Sequence, residues 1–233
     1  MRVMAFAAHP DDELVCAGTL AKYAAKGHKV AIVFITNGEV GSEIYGNEEI
    51  ARIRKEEARA SAAVIGAEFY WLGVRDEFLY TDEPVRRMIL DVMRQFDPDI
   101  VICPDKDVDY HPDHIAAGQL VWDVRVMTTV PNIKTGHKPC TKIPMVAYQD
   151  TVMGLNFMPE KYVDVSDYWD AKAAMTNCHE SQKGWLEAQY GVTHLEFVRV
   201  HTMFRGFQAG CKYAEAFKFP RFFPMRTESE GLL

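Results

Sequence analysis

Short apolar runs alternate with amphipathic stretches along the first half of the chain. Four runs contain no charged residue, and such runs are typical of strands buried on both faces of a parallel sheet. They are Val3–Ala8, Val30–Ile35, Phe69–Leu72 and Ile100–Cys103. Between and after them, apolar residues recur at helical spacing. Helices are predicted from about Leu14 to Gly27, Glu48 to Ile65, Pro84 to Phe96 and Pro112 to Val126. Four strand–helix repeats predict a mostly parallel sheet covered by helices on both faces.

Beyond Val126 the periodicity loosens. Residues 130–145 are predicted to form a surface loop, and Met145–Gln149 and Tyr162–Val165 to form short strands. Helices are expected over 167–181 and 185–190, and 199–216 is expected to be partly helical. No linker separates this half, so the prediction is one domain over 1–233. Its fold class is α/β, with a Rossmann-like doubly wound sheet and a C-terminal cap of short strands and helices.

Polar clusters follow two of the predicted strands. Ala8–Glu13 reads A-H-P-D-D-E after the first strand, and Tyr110–His114 reads Y-H-P-D-H after the fourth. In the common doubly wound order these two strands are neighbours, and ligands bind in the crevice beyond their carboxyl ends. We therefore expect the two clusters to meet and to hold one metal ion.

The residue types in the clusters are suited to metal-assisted hydrolysis. His9 and Asp12 are three residues apart and can point to one side of a tight turn. One histidine of the second cluster would complete a set of two imidazoles and a carboxylate, which leaves coordination positions open as catalytic zinc requires. Water bound there loses a proton near neutral pH. Asp11 is placed to accept that proton as general base.

The second cluster supplies two histidines, and the residues alone do not decide between them. One of His111 and His114 can bind the metal while the other stabilises an oxyanion or protonates a leaving amine. Asp113 can orient one of the two. The isolated histidines elsewhere are expected to be structural or solvated; they are His28, His137, His194 and His201.

Composition excludes several classes of partner. The net charge of −7 over 233 residues argues against a nucleic-acid-binding surface. No apolar run approaches the roughly 20 residues that span a bilayer. The chain begins directly with a strand, so no signal peptide is expected. Five scattered cysteines form no C-x-x-C pair, which favours reduced thiols and a cytoplasmic location.

These motifs resemble those of the PIG-L/LmbE-like family of zinc-dependent N-acetylglucosaminyl deacetylases. The A-H-P-D-D-E signature is complete, and His111–His114 matches the family's H-x-D-H signature. Weaker similarities occur in the family's order along most of the chain. They include the T-N-G-E-x-G loop from Thr36, the R-x-x-E pair at Arg54, the L-G-x-x-D loop from Leu72, and the segment from Arg205.

The resemblance implies a role for each residue of the two clusters. The implied zinc ligands are His9, Asp12 and His114. Asp11 is the implied general base, and His111 is expected to stabilise the tetrahedral intermediate and to assist the leaving amine. Asp113 is expected to act as its partner, and Arg54 is a candidate substrate contact. Two positions depart from the family pattern and bear on substrate choice: Asp109 stands where some members have tyrosine, and Glu77 replaces a small residue.

The implied function is removal of the acetyl group from an N-acetylated amino sugar, expected to be an N-acetylglucosamine conjugate, by attack of a zinc-bound water. Fe²⁺ or another divalent ion also suits the ligand set. The resemblance further implies a homo-oligomer, a trimer or a hexamer. Two alternatives stay open: a 2-His-1-carboxylate non-haem iron oxygenase, and an amide hydrolase for a non-sugar substrate. A nucleotide-binding module is disfavoured because no glycine-rich phosphate loop follows the first strand.

Overall fold

Seven strands form one sheet in the computed structural model, which describes residues 1–221. The strands are β1 (Arg2–Ala7), β2 (Lys29–Thr36), β3 (Glu68–Val74), β4 (Ile100–Cys103), β5 (Met145–Gln149), β6 (Lys161–Asp164) and β7 (Ala214–Lys218). Their order is β3-β2-β1-β4-β5-β7-β6. The first five are parallel, whereas β7 is antiparallel to both β5 and β6. This confirms the predicted α/β class and the adjacency of β1 and β4.

Helices cover both faces of the sheet. They are α1 (Ala17–Ala25), α2 (Asn47–Val64), α3 (Glu83–Phe96), α4 (Pro112–Val124), α5 (Trp169–Cys178), α6 (Glu180–Tyr190) and α7 (His194–Ala209). A short 3-10 turn, Asp12–Val15, lies between β1 and α1. Local chemistry fixes several ends: Asp82 accepts a hydrogen bond from the Val85 N–H at the start of α3, and Gly210 ends α7 in the left-handed conformation.

The central strand explains why its sequence is apolar throughout. Val3, Ala5 and Ala7 of β1 pack in a core cluster with residues of α1, α2 and α5. The alternate side chains of β1, Met4 and Phe6, pack on the other face with residues of α3 and α4. Successive side chains of a strand point to opposite faces, so a sheet with helices on both sides buries all of them.

The C-terminal half differs from the prediction in its last strand and in where its helices begin. Residues 199–216 were expected to be partly helical, and α7 does cover 199–209, although it begins earlier, at His194. The strand β7, which lies between β5 and β6, was not predicted. In β7, Glu215 is buried and accepts hydrogen bonds from the N–H groups of Gly18 and Thr19 at the start of α1. A five-residue strand with a buried acid lacks the apolar pattern that marks the other strands. In addition, α6 begins at Glu180, five residues earlier than predicted.

Two other expectations concern the whole chain. Among residues 1–221, no helix is long and apolar enough to cross a membrane. The five cysteines, all within this range, are free thiols. The prediction of a single domain extends to residue 233, and residues 222–233 lie outside the described part of the chain.

Candidate active site

The two polar clusters meet at the carboxyl ends of β1 and β4. These strands pair in parallel, with Val3 opposite Ile100, so the segments that follow them leave the sheet side by side. The first cluster enters the 3-10 turn, and the second leads into the first turn of α4. Asp11 has a φ of 135°, a conformation that non-glycine residues rarely adopt and that occurs often at functional sites. The sequence therefore correctly predicted which segments come together.

Three side chains present donor atoms at the spacing that one metal ion requires, and Asp12 does so through both of its carboxylate oxygens. His9 Nδ1 is 3.2 Å from Asp12 Oδ2, and His114 Nε2 is 3.2 Å from Asp12 Oδ1. The two imidazole nitrogens are 3.3 Å apart. Ligands about 2.0 Å from a tetrahedral zinc ion are about 3.3 Å from one another. The residues thus fit a zinc ion, and the same trio is the one that the family resemblance implied.

In both His9 and His114, the ring nitrogen that faces away from Asp12 (the far nitrogen) contacts a buried carboxylate. His9 Nε2 is 3.3 Å from both Asp76 Oδ1 and Asp113 Oδ2, and His114 Nδ1 is 3.0 Å from Asp109 Oδ1. Such carboxylates place the ring proton on the far nitrogen and leave the near nitrogen free to bind a metal. Asp113 therefore contacts His9, whereas the sequence suggested that it orients a histidine of its own cluster. Asp76 and Asp109 were not among the predicted site residues.

The charges of the cluster change its proton affinities strongly. Burial would raise the pKa of Asp12, but the neighbouring His114 and His9 hold it well below its usual value. Burial likewise opposes protonation of His9, yet Asp12 and Asp113 raise its pKa to about 9. The pKa of His114 is also raised well above its usual value, because Asp12 and Asp109 outweigh the effect of burial. A metal ion at this position replaces those protons, so its binding releases them.

Arg54 is buried beside the candidate base. It is 4% exposed, its Nη2 donates a 2.8 Å hydrogen bond to the Pro10 carbonyl, and the same atom is 3.4 Å from Asp11 Oδ1. Burial raises the pKa of Asp11 to about 6, although Arg54 lowers it. The guanidinium thus holds the backbone next to Asp11 and faces the cavity. That Arg54 also contacts substrate stays a prediction.

His111 lies at the N-terminus of α4, beside the trio. Its Nδ1 accepts a 3.2 Å hydrogen bond from the Asp113 N–H, so the ring carries its proton on Nε2 when neutral. Nε2 is 3.2 Å from Glu77 Oε1. Burial and the neighbouring His9 lower the pKa of His111. The ring therefore presents an N–H donor at the edge of the cluster. The group beside that donor is Glu77, the residue that replaces a small one in the family pattern.

A cavity of about 330 Å³ opens over the cluster. Its opposite wall comes from α6 and α7 and includes Trp185, Tyr190, Phe197, His194 and His201. Nothing in the sequence marked His201 as more than an isolated histidine, but in the structure it lines the cavity. Its Nε2 is 2.9 Å from Asp150, at the end of β5. No local sequence pattern marks this wall, because its helices are far along the chain from both clusters.

Buried contacts from the C-terminal half also support the first cluster. Glu13 is the last residue of A-H-P-D-D-E. Its Oε1 is 2.7 Å from His179 Nε2 and also accepts a 2.6 Å hydrogen bond from Ser61 Oγ. His179 is 0% exposed, and Glu13 raises its pKa against the effect of burial. His179 was not among the predicted site residues, and its contact with Glu13 gives it a structural role.

Comparison with known proteins agrees with this geometry. Residues 4–125 match the family model described as PIG-L: GlcNAc-PI de-N-acetylase. Diacetylchitobiose deacetylase of Thermococcus kodakarensis is 30% identical over 232 residues, covering 94% of this chain and 82% of the relative. The structure of N,N'-diacetylchitobiose deacetylase from Pyrococcus horikoshii aligns with a TM-score of 0.82 and 29% identity, over 94% of this chain and 83% of that one.

The similarity also extends to a protein with a different reaction. A 4-oxalmesaconate hydratase of Pseudomonas putida is 25% identical over 174 residues, covering 71% of this chain and 67% of the relative. The matched family model spans both clusters and the sheet core between them, and the deacetylase relatives cover nearly the whole chain. The chain therefore belongs to the PIG-L family.

Proposed function

We propose that this protein is a metal-dependent hydrolase that releases acetate from an N-acetylated amino sugar, specifically an N-acetylglucosamine conjugate. The observation that carries the proposal is the trio of His9, Asp12 and His114, whose donors lie 3.2–3.3 Å apart, with Asp11 beside them at the cavity. The deacetylase relatives support the choice of an acetamido sugar.

The metal is proposed to be Zn²⁺, although two imidazoles and a carboxylate also accept Fe²⁺. A divalent ion in this position lowers the pKa of water and polarises a carbonyl. Asp11 takes a proton from the attacking water and is placed for that role by the hydrogen bond of Arg54 to the adjacent Pro10 carbonyl. A pKa near 6 leaves Asp11 mostly ionised at neutral pH, and this suits a general base.

His111 is proposed to act on the leaving side of the reaction. Its Nε2 carries the proton, because Nδ1 accepts from the Asp113 backbone. That proton can stabilise the negative oxygen of the tetrahedral species and is then available to the departing amine. Asp113 contributes by fixing both His9, through its carboxylate, and His111, through its N–H.

Two alternatives involve other chemistry. The named relatives do not favour an oxygenase. A hydratase of a polycarboxylate is supported by one relative, but such substrates need unpaired cationic side chains. The lysine and arginine in the cavity wall, Lys172 and Arg54, both face carboxylates already: Lys172 is 2.6 Å from Glu215, and Arg54 is 3.4 Å from Asp11.

The proposal also covers the cellular location of the enzyme. We infer a cytoplasmic enzyme, since all five thiols are free.

We also infer a trimer or hexamer, and light scattering of the purified protein tests that inference. Three large apolar side chains on one face of α7 are at least 45% exposed and available for such an interface: Val200, Phe204 and Phe207.

The decisive experiment measures acetate release from N-acetylglucosamine conjugates together with metal content on the same preparation. Acetate should appear in proportion to bound metal and should stop on chelation. Asp11→Asn should keep the metal but lose about 10²–10⁴-fold in turnover, the usual contribution of a general base. His114→Ala should lose the metal. Addition of water to an unsaturated polycarboxylate, without acetate release from any sugar, would replace the proposal by a hydratase.

A further inference from the structure

The wall of the cavity opposite the metal-binding trio is largely aromatic and aliphatic. Trp185 and Tyr190 lie on α6, and Phe197 and Val198 lie on α7. Tyr190 and Phe197 stack with ring centroids 5.4 Å apart, which gives this wall a rigid aromatic surface. The acetamide that reacts must sit at the trio, so this wall faces whatever is attached to the acetylated sugar.

The same wall offers the imidazole of His201 as a hydrogen-bonding group, and a buried ion pair holds that ring in place. In this pair Arg205 contacts Asp150 at two points, at 2.5 Å and 2.9 Å, and each of the two residues is 3% exposed. Asp150 is also 2.9 Å from His201 Nε2. Because Nε2 is committed to Asp150, Nδ1 is the ring nitrogen that remains for a ligand, and in the neutral ring it accepts a hydrogen bond.

A second histidine of the wall contributes no positive charge near neutral pH. His194 is 5% exposed and lines the cavity. Burial, followed by the neighbouring His179, lowers the pKa of His194 to about 4. Its buried Nδ1 has no hydrogen-bond partner among the described residues.

Charge is distributed unevenly over the cavity. The candidate metal side carries the acidic residues Asp11, Asp12, Asp76 and Glu77. Among the described residues that line the wall side, no Lys or Arg is present except Lys172, which donates a hydrogen bond to Glu215. An anionic group seated on the α6–α7 wall would therefore lose its hydration without gaining an unpaired lysine or arginine there, and Asp11 and Glu77 across the cavity would add repulsion.

We propose that the wall formed by α6 and α7 is a subsite for the group joined to the acetamido sugar, and that it selects an uncharged ring with an apolar face and hydroxyl groups. A second sugar or a cyclitol has this chemistry, whereas a dicarboxylate or a phosphate does not. The ring stacks on Trp185 and Tyr190, and one hydroxyl donates to His201 Nδ1. The inference rests on the proposed function and assigns substrate class to that same site.

The test compares three substrates on one metal-loaded preparation. They are N,N'-diacetylchitobiose, which carries a neutral second ring; N-acetylglucosaminyl malate, which carries two negative charges; and N-acetylglucosamine alone. We expect kcat/KM for the disaccharide to exceed that for the other two by at least about tenfold, corresponding to about 1.4 kcal/mol. Equal or higher kcat/KM for the malate conjugate would overturn the inference and leave the deacetylase assignment intact.

Two substitutions locate the selectivity. Trp185→Ala and His201→Ala should each reduce the ratio of kcat/KM for the disaccharide to that for N-acetylglucosamine by about tenfold, mainly through KM. A ratio of two substrates on one sample does not depend on how much of the variant is folded. Glu187→Ala is the matched control, because Glu187 lies on α6 two residues from Trp185, is exposed and is not among the residues that line the cavity. An unchanged ratio in both wall variants would overturn the subsite.

Binding provides a reading that does not depend on turnover. Calorimetry on the metal-loaded Asp11→Asn variant should show the disaccharide binding at least about tenfold more tightly than the malate conjugate. If no acetate is released from any substrate, the proposed function fails, and the calorimetric comparison still decides whether the wall discriminates by charge. Equal affinities would refute the subsite under either outcome.

Discussion

Asp11 combines an uncommon backbone conformation with a raised proton affinity. Burial raises its pKa to about 6 from the usual 3.8 of an aspartate. A general base works in its ionised form, so the active fraction falls about tenfold for each pH unit below that pKa. We predict that kcat/KM decreases on the acid side with a midpoint near pH 6. The measurement is a pH profile with metal content verified at every point, and the Asp11→Asn variant should lack this acid limb.

Asp109 is predicted to support metal binding through His114. Its carboxylate is 3.0 Å from His114 Nδ1 and is 8% exposed as a residue. Removing such a carboxylate costs about 10–100-fold in metal affinity, because the ring orientation and the basicity of the near nitrogen are lost. Asp109→Ala should therefore bind zinc about 10–100-fold more weakly in a competition titration with a chelator.

The matched control for this variant lies two residues away. Asp107 is exposed, and its carboxylate contacts the side chain of Lys106. Asp107→Ala should retain the wild-type zinc affinity. Equal affinity losses in the two variants would show that loop disturbance, rather than the contact with His114, is responsible.

At the residue scale, the sequence pointed to the candidate metal-binding trio, which the structure brings together, but not to the carboxylates behind its two histidines. Spacing and strand position point to His9, Asp12 and a second-cluster histidine, because these residues lie where two neighbouring strands end. Asp76 and Asp109 act through the far side of the imidazole rings, and nothing in their local sequence indicates which way a ring faces. His201 depends on Asp150 and Arg205, which come from different elements.

At the element scale, the loop after β2 is shaped by one buried side chain. Arg54 of α2 donates to the Gly38 carbonyl in that loop. A Cβ at Gly41 would lie 2.5 Å from Arg54 Nη1, and Gly41 does not have a positive φ. Gly41→Ala therefore changes the space around the guanidinium without straining the backbone. We predict that it displaces Arg54 from Pro10 and Asp11 and lowers kcat by about tenfold or more.

Gly46 is the control for that prediction. It is the N-cap residue directly before α2, and no atom of residues 1–221 lies within 4 Å of a Cβ placed on it. Gly46→Ala should cost at most about 1 kcal/mol through weaker helix capping, with kcat unchanged. Kinetics of both variants at a temperature well below unfolding, with zinc content determined, make the comparison. Unchanged kcat in Gly41→Ala would mean that the loop absorbs the extra methyl group and that Arg54 stays in place.

Elements with strong local patterns were predicted well. Each of the first four strands was placed within two residues of its observed ends, since charge-free runs bounded by turn residues leave little choice. The strand β7 was missed because tertiary contacts decide it. Its Glu215 is buried only because α1 offers two N–H groups and Lys172 offers a charge, and neither partner is near in sequence.

At the scale of the whole molecule, a buried ion pair between Lys172 of α5 and Glu215 of β7 lies where the C-terminal half meets α1, whose Gly18 and Thr19 N–H groups also bind Glu215. The contact is 2.6 Å long, and both side chains are at most 3% exposed. Removing one partner leaves a buried charge unpaired, which costs about 3–5 kcal/mol. For a protein of this size that is a fall in Tm of roughly 6–20 °C. We predict this loss for Glu215→Gln, measured by thermal unfolding of the metal-loaded protein.

The double variant Lys172→Met with Glu215→Gln tests the cause. Without the ammonium group no buried charge is left unpaired, so part of the lost stability should return. Destabilisation equal to or greater than the sum of the two single variants would argue that packing, rather than charge pairing, accounts for the contribution of these two side chains. Lys22→Ala is a surface comparison, because Lys22 makes an exposed contact with the Asp164 carbonyl.

The distance along the chain between Glu13 and its partner His179 has a consequence for biosynthesis. A ribosome completes every proposed metal ligand once it has added His114, but His179 and the Glu215 that caps α1 are still to be made. About a hundred further residues take roughly 5–20 s to synthesise. During that interval the nascent chain carries histidines and carboxylates whose supporting partners do not yet exist. We therefore expect the enzyme to acquire its metal after release, so that the choice of ion reflects the finished site and not the emerging peptide.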